Sequence, residues 1–569
     1  MLWSKAVTTA KREMRRVKSL IVRAGSSTAT QILVGPQELR TIDATLAEDI
    51  FAGRLTFAGR HIDGSKHQSI FDAPPPNLAF ARELHGFGWL RHIRGSHTQS
   101  VPDAARVLID DWIKTYGQNA SGFAMQPSVL SRRLISFVSL APVLLKGAEP
   151  EFYHSFMASL SFQAFILDKE LKLGLSPLER LTGWIALNYF AQCSNVSSKF
   201  LVSTEAGLLK TLGAEILPDG GHISRDPHAL LNYVLDLLPL QQVFAARNRT
   251  VPALIPDIIG KMLGMLTLLR HSDGSIGAFN GMGASEPGLL ARVLPYIGAS
   301  SPPLFDASYS GYQRLEKNKS ILLVDAGRAP PSKYSLQAHA GCLSFEFSTG
   351  LNRLIINCGA SISGSNKHMS FARHTAAHSV LTLNDTSSSQ FSNAPSIDPY
   401  KTSEIIQGPI HLTYGRQVIE DGDMLIARHD GYLLNFGLVY QRSFWLDKTG
   451  LRLEGQDILK ASLGEPDISI KAKIKTKSAP TKSVPTNLPF ALRFHLHPLV
   501  KPELNDDKTS VRLELPNRET WKFTASGHPL EIEQSIYFAT AQGQQKTSQI
   551  TVSGRASIAT KIDWVLERV

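Results

Sequence analysis

The chain has 569 residues and a formal net charge of +11, and 43% of its residues are hydrophobic. This length exceeds what one ordinary core accommodates, so we expect two domains, or one repeat-built domain plus another. The positive charge favours an anionic partner such as a nucleic acid, a membrane surface or an acidic polymer, with a merely solubilising basic surface as the alternative. The three scattered cysteines exclude a disulfide framework, and no stretch approaches the roughly 20 apolar residues of a membrane span.

Residues 1–30 form a basic N-terminal leader with seven Lys and Arg residues. No apolar run follows them, which argues against a cleavable signal peptide. We expect a solvated leader, and the alternative is a basic amphipathic helix resting on a membrane or another surface.

Residues 31–305 show the spacing of helices with one buried face, in runs near 77–94, 102–113, 129–145 and 156–171 and after Pro177 and Pro256. Ser176, Pro177 and Glu179 are a helix start signal, while Pro142 interrupts the third run. About eight to ten successive helices indicate a helical array or toroid.

Two glycine-rich loops, 217–227 and 271–281, join these helices. In the first loop, Asp226 and Pro227 can simply cap the next helix. The functional alternative is that His222 and Arg225 line a cleft.

Residues 306–569 carry many short β-rich runs without interleaved helices, which predicts an antiparallel β-sandwich or a larger stacked sheet. Residues 475–489 read as an exposed loop. Arg493, His495 and His497 alternate with apolar residues, and we expect them on a polar outer face.

The stretch 335–385 is the strongest site candidate. His339, Asn357 and His378 lie at or near the ends of three predicted strands, so they can converge in space. Between them, Phe345 and Phe347 alternate with polar residues, the pattern of a half-buried strand.

The motifs AHAGCLSFEFSTG, RLIINCG, ARHTAAHSVLTLND and ARHDGY occur in this order. In this series the chain resembles the heparinase II/III-like polysaccharide lyases. The resemblance implies an α+β multidomain protein, with an incomplete α/α toroid over 31–305, an antiparallel β-sandwich over 306–569 and a cleft between them.

The resemblance also implies cleavage of a uronic-acid-containing acidic polysaccharide by β-elimination. That reaction needs a neutralised carboxylate, a base and an acid for the leaving oxygen. Family members act in the cell envelope or periplasm, and a cytoplasmic location is the alternative because no signal peptide is evident. We expect no nucleic-acid partner, since the basic residues are dispersed and no recognition helix stands out. The oligomeric state is left undetermined.

Site residues carry over by position. His222 matches an inter-helix histidine and His339 the second histidine of a His-x-His element. The predicted acid–base and carboxylate-neutralising residues are His222, Arg225, His339 and Arg373. The predicted substrate contacts are Gln337, Asn280, His374 and Tyr440.

His339 and His378 also match two metal-ligand positions of some family members, and Asn357 stands where the third is usually Asp. The resemblance therefore makes zinc a candidate cofactor, at a site weaker than one with a carboxylate. Gln337 replaces the first histidine of the His-x-His element, and Gly341 stands where many members have Asp. These departures leave open a second function, a non-catalytic glycan-binding or envelope-assembly protein on the same fold.

Overall fold

The computed structural model describes residues 28–96, 100–117, 119–284, 288–296, 303–361, 370–392, 403–461, 487–540 and 543–569. These residues divide into two compact units. The first contains the described residues up to Glu215 together with Tyr233–Ile259, and the second contains Ile216–Asn232 and the residues from Gly260 onward. Most of the predicted leader and residues 475–486 of the predicted loop lie outside the described residues.

The helices follow the predicted spacing. They are α1 Ala44–Phe51, α2 Leu78–Gly86, α3 Ser100–Thr115, α4 Pro127–Leu145, α5 Pro150–Leu173, α6 Pro177–Cys193, α7 Ser198–Glu215, α8 Pro227–Ala246, α9 Leu254–Leu268, α10 Leu289–Val293 and α11 Leu433–Phe436.

Local chemistry explains several helix boundaries. Proline is the first residue of α4, α5, α6 and α8, where its missing N–H has no partner to lose. Ser176 occupies the predicted cap position of α6, but its side chain makes no capping hydrogen bond. Pro142 lies inside α4 without ending it, so the predicted interruption is wrong. The predicted helix over 77–94 instead breaks at Phe87, which adopts a left-handed conformation with φ of 55°.

Two helices, α4 and α8, are long and apolar enough to cross a membrane by length and composition. Most of each helix is packed inside the protein, as a core helix also would be. The sequence-based expectation that no stretch approaches this length was therefore too strict, while these two helices alone are weak evidence for a span.

The strands are β1 Arg54–Phe57, β2 Arg60–Asp63, β3 Asp306–Ala307, β4 Tyr312–Lys317, β5 Ser320–Asp325, β6 Phe345–Thr349, β7 Asn352–Ile356, β8 Leu381–Leu383, β9 Gln390–Phe391, β10 Ile405–Gln407, β11 Leu412–Ile419, β12 Gly422–His429, β13 Leu438–Asp447, β14 Arg452–Ala461, β15 Leu488–Leu496, β16 Lys501–Leu504, β17 Ser510–Glu514, β18 Thr520–Ala525, β19 Leu530–Tyr537, β20 Gln545–Ala556 and β21 Ala559–Arg568.

Two large antiparallel sheets build the second unit. One has the order β11-β12-β13-β14-β21-β18-β17-β16, and the other has β19-β20-β15-β7-β6-β5-β4-β3 with β8 paired to β15. Buried and half-buried residues alternate along β13, as expected for a strand with one face toward a core. Side chains from both sheets, including Phe345, Phe494 and Trp564, form one hydrophobic core. The predicted fold class, helices followed by an antiparallel β-sandwich, is confirmed.

Two strands depart from their predicted exposure because both of their faces are covered. Glu346 on β6 is fully buried, since His271 of the loop after α9 bonds to it at 3.0 Å. His495 on β15 is also buried and contacts Ser535 and the Ala376 carbonyl, so the predicted polar outer face is wrong for this residue.

Candidate functional site

The two predicted site histidines of the β unit contact each other directly. Nδ1 of His339 lies 3.0 Å from Nε2 of His378, and Nδ1 of His378 lies 2.9 Å from the carbonyl oxygen of His374. A carbonyl oxygen can only accept, so Nδ1 of His378 carries a proton and its Nε2 accepts one from Nδ1 of His339. Nε2 of neutral His339 is therefore left with a lone pair and has no hydrogen-bond partner among the described residues.

Burial keeps this histidine pair neutral. Burial, followed by the charges around it, holds the pKa of His339 well below its ordinary value. Burial likewise lowers the pKa of His378 to about 4, against the raising effect of its bond to the carbonyl. Both rings are thus uncharged near neutral pH, and His339 can accept a proton or a hydrogen bond there.

A chain of hydrogen bonds connects the loop of His222 to the loop of His339 within the second unit. The backbone N–H of His339 donates to Oδ1 of Asn280 at 3.1 Å, and Nδ2 of Asn280 donates to the hydroxyl of Tyr312 at 2.6 Å. That hydroxyl donates to the carbonyl of Arg225 at 2.6 Å, and the N–H of Arg225 bonds to the carbonyl of His222 at 2.8 Å. Both ends of the Asn280 amide make a hydrogen bond and the residue is buried, so Asn280 positions His339, and its burial argues against the predicted substrate contact.

Arg225 is locked inside the second unit. Its Nε donates to the Ser310 carbonyl at 2.6 Å, Nη1 donates to the Arg328 carbonyl at 2.8 Å and Nη2 pairs with the Asp325 carboxylate. Burial is the largest single effect and lowers the pKa of Arg225, but the charge of Asp325, its hydrogen bond and the smaller effects of Tyr312 and Cys342 together outweigh it, so the net pKa is raised. All three guanidinium nitrogens are thus engaged inside the unit, so the structure gives Arg225 a role in holding loops together in place of the predicted catalytic role.

Arg373 is likewise committed to backbone groups. Its three guanidinium nitrogens donate to the carbonyls of Ser335, Ala338 and Ser403 at 2.7–2.8 Å. The residue is 5% exposed, and burial lowers its pKa to about 10. The predicted neutralisation of a substrate carboxylate by Arg373 is thus replaced by a positioning role, because this side chain shapes the segment that carries His339.

His222 pairs with an aromatic residue that the sequence reasoning missed. The ring of His222 lies edge-on to the ring of Tyr334, with centroids 6.1 Å apart. Nδ1 of His222 contacts the Ser224 hydroxyl at 2.7 Å and also accepts the Ser224 N–H. Tyr334 lies only five residues before His339, which is the one sequence signal that could have drawn attention to it.

The three remaining residues that were predicted to contact substrate differ in their burial. Gln337 is exposed on the segment that leads to His339. His374 is half-buried, with Nδ1 at 3.1 Å from the Ser387 hydroxyl. Tyr440 lies in the sandwich core, fully buried, and its hydroxyl donates to Asp457. We therefore omit Tyr440 from the site, because a substrate cannot reach it there.

One buried ion pair is hydrogen-bonded to both segments that carry the histidine pair. Arg442 and Asp457 are fully buried and pair at 3.0 Å. Nη1 of Arg442 donates to the carbonyl of Leu343, four residues after His339, at 3.0 Å and to that of Ser379, next to His378, at 2.7 Å. The sandwich core therefore fixes the spacing of the histidine pair.

The side chains expected to bind zinc do not fit that ion. The facing nitrogens of His339 and His378 share a proton, and Oδ1 of Asn357 accepts the backbone N–H of Ser379 at 3.0 Å. No group of three His, Cys, Asp or Glu side chains suited to a metal occurs within the described ranges. We therefore derive no chemical step through a metal.

Comparisons with known proteins agree with this architecture. Residues 299–565 match the family Heparinase II/III-like, C-terminal. The solved structure of Heparinase III superposes with a TM-score of 0.72 at 13% identity, covering 95% of this chain and 87% of that one. A heparan sulfate lyase HepC mutant from Pedobacter heparinus gives 0.62 at 13% identity, covering 97% and 87%. At such identities these structures establish the fold alone.

One curated relative has a name that does not refer to a lyase. FtsZ-localized protein C of Caulobacter vibrioides (strain NA1000 / CB15N) is 27% identical over 540 residues, which cover 94% of this chain and 89% of that protein. Its name describes a location and no reaction.

A helical region followed by an antiparallel sandwich is the fold that this chain shares with Heparinase III. Within that fold, residues 299–565 belong to the family Heparinase II/III-like, C-terminal.

Proposed function

We propose that this protein is a polysaccharide lyase that cleaves a uronic-acid-containing acidic polysaccharide by β-elimination. The observation that carries the proposal is the hydrogen-bonded series from the His374 carbonyl through His378 to His339. The carbonyl of His374 orients His378, and His378 orients His339, so that Nε2 of His339 presents its lone pair. A neutral imidazole held in one tautomer by a second group is the arrangement of a general base.

Each required task has a candidate residue. Nε2 of His339 takes the proton from the carbon beside the uronate carboxylate, and the bonds to His378 and the His374 carbonyl stabilise the imidazolium that forms. Tyr334, held beside His222, protonates the departing glycosidic oxygen. The exposed Gln337 donates an amide hydrogen bond to the carboxylate. Arg225 and Arg373 act only through loop position and through the positive field they add.

The experiment uses a panel of uronate polymers and follows the ultraviolet absorbance of the unsaturated product. We expect product with the wild type and with His411→Ala, an exposed histidine of the same unit that serves as the matched control. His339→Ala and Tyr334→Phe should each lower the rate by about 10²-fold or more, the usual contribution of a general acid or base. Product formation by a folded His339→Ala variant at the wild-type rate would rule out the assigned base.

A second candidate function is a non-catalytic glycan-binding or envelope-assembly protein. Two observations favour this function. The polar side-chain groups of Arg225, Arg373 and Asn280 make hydrogen bonds within the protein. The name of the curated relative refers to FtsZ. Under this alternative we propose that the protein localises with FtsZ and binds acidic glycan without cleaving it. Saturable binding across the panel without any product, together with co-localisation of a fluorescent fusion with FtsZ, would support this function over the lyase.

A further inference from the structure

The family resemblance makes zinc a candidate, but this chain offers it only two imidazoles, which face each other, and an amide whose oxygen is already engaged. Zinc binds imidazole nitrogens at about 2.0–2.1 Å, and both nitrogens must be deprotonated. The facing nitrogens of His339 and His378 are 3.0 Å apart and are joined by the proton on Nδ1 of His339. Each ring is therefore the hydrogen-bond partner of the other ring, in the place where a metal ion would otherwise bind both nitrogens.

Asn357 adds a second obstacle. Because its Oδ1 accepts the backbone N–H of Ser379 at 3.0 Å, the two ends of its amide are unambiguously assigned. The other end, Nδ2, is buried and has no hydrogen-bond partner among the described residues. A buried N–H group carries partial positive charge and offers a cation no lone pair, whereas a carboxylate at this position would supply a second oxygen as a ligand.

Gly341 permits the direct contact between the rings. A Cβ atom at this position would lie 2.8 Å from Cδ2 and 3.1 Å from Nε2 of His378, which is closer than real Cβ contacts allow. The missing side chain lets the His378 ring pack against the backbone of the loop that carries His339.

We infer that the His339–His378 pair is a metal-independent hydrogen-bonded unit, and that the amide of Asn357 is the group that excludes zinc. The inference does not depend on the proposed lyase reaction, because it concerns only what holds the two rings. It predicts that one isosteric change reverses the preference. Asn357→Asp keeps an oxygen for the Ser379 N–H and replaces the buried donor by a second oxygen.

The same substitution should destabilise the metal-free protein. The backbone N–H of residue 357 donates to the buried carboxylate of Glu346 at 2.9 Å, so a new carboxylate at this position would be buried near a like charge. A bound cation relieves that repulsion. Zinc should therefore raise the melting temperature of Asn357→Asp and leave that of the wild type unchanged.

The experiment measures zinc content and thermal unfolding of the full chain after chelation and reconstitution with zinc chloride alone. We expect less than about one-tenth of a zinc ion per wild-type chain and about one per Asn357→Asp chain. The double variant Asn357→Asp/His378→Ala should lose that zinc again. Asn505→Asp, which adds a carboxylate at the surface of the same unit, is the matched control and should behave as the wild type.

Two outcomes overturn the inference. One is a wild-type chain that retains about one zinc ion and loses it in His378→Ala, since the pair would then be a metal site after all. The other is a folded Asn357→Asp variant that takes up no zinc, which would show that residue 357 does not decide the preference. The two proposals are tested by separate measurements, because zinc content and thermal unfolding report on the metal and the absorbance of the unsaturated product reports on cleavage.

Discussion

Acid should destabilise the β unit through three histidines that are buried in the neutral form. Burial lowers the pKa of His378 to about 4 and the pKa values of His429 and His495 to about 3. His429 shows why the neutral ring is required: its Nδ1 accepts the Gly431 N–H at 3.0 Å, and a proton there would abolish that bond. Protonation of these rings is therefore disfavoured in the folded state.

The sign and size of the effect follow from linkage. The unfolded chain protonates these rings near pH 6.5, whereas the folded protein does not until the pH is close to 3 or 4. Their stabilising contribution is therefore fully present above about pH 6.5 and is lost as the pH falls. At pH 5 each ring costs about 2 kcal/mol of unfolding free energy, and three cost about 6 kcal/mol, a large part of the roughly 5–15 kcal/mol of a typical protein.

The assay is urea unfolding followed by circular dichroism between about pH 7.5 and pH 5. His429→Gln removes one titrating ring, so its unfolding free energy should fall by about 2 kcal/mol less over this interval than that of the wild type. His411→Gln changes an exposed ring and should follow the wild-type pH dependence. Parallel pH profiles for the wild type and His429→Gln would refute the reasoning.

Two further substitutions test the bracing of the histidine pair. Gly341→Ala should destabilise the protein by about 1–3 kcal/mol, because the new methyl group would collide with the His378 ring. The control is Gly264→Ala, whose methyl group meets no atom within 4 Å and should not destabilise the protein. Melting temperatures of the two variants and the wild type test this expectation. Arg442→Met leaves the Asp457 carboxylate buried without its cationic partner and should cost about 3–5 kcal/mol in urea unfolding. A combined Arg442→Met/Asp457→Asn variant removes the unpaired charge and keeps an oxygen for the Tyr440 hydroxyl, so it should be more stable than Arg442→Met, and equal stability of the two would contradict this account.

Local patterns predicted most of the fold. The β-rich part of the chain forms antiparallel sheets as predicted, and the alternating run that contains Phe345 and Phe347 is the strand β6. What the patterns missed is burial on the polar face. Glu346 alternates with phenylalanines as a solvent-facing residue would, yet His271, 75 residues earlier in the chain, covers it. Such covering depends on tertiary contacts that a period-two pattern does not contain.

The candidate site was predicted less completely, for a related reason. His339 and His378 do meet, as strand-end histidines can. The sequence shows that Arg225 and Arg373 are cations, but it does not show that backbone carbonyls and Asp325 occupy their guanidinium groups. Tyr334 escaped attention because its partner, His222, lies in a distant helix-joining loop.

In the second unit, the residues that position the site differ from the residues that could react with a ligand. The guanidinium groups of Arg225 and Arg373 are engaged by carbonyls and one carboxylate, which leaves imidazole, phenol and amide groups among the predicted site residues and Tyr334. Neutral groups of this kind can move protons and donate hydrogen bonds, but they attract an anionic polymer weakly. Under the proposed function, attraction of the acidic glycan comes from the wider surface charge of the chain. Glycan affinity should therefore fall with added salt even where His339→Ala leaves binding intact.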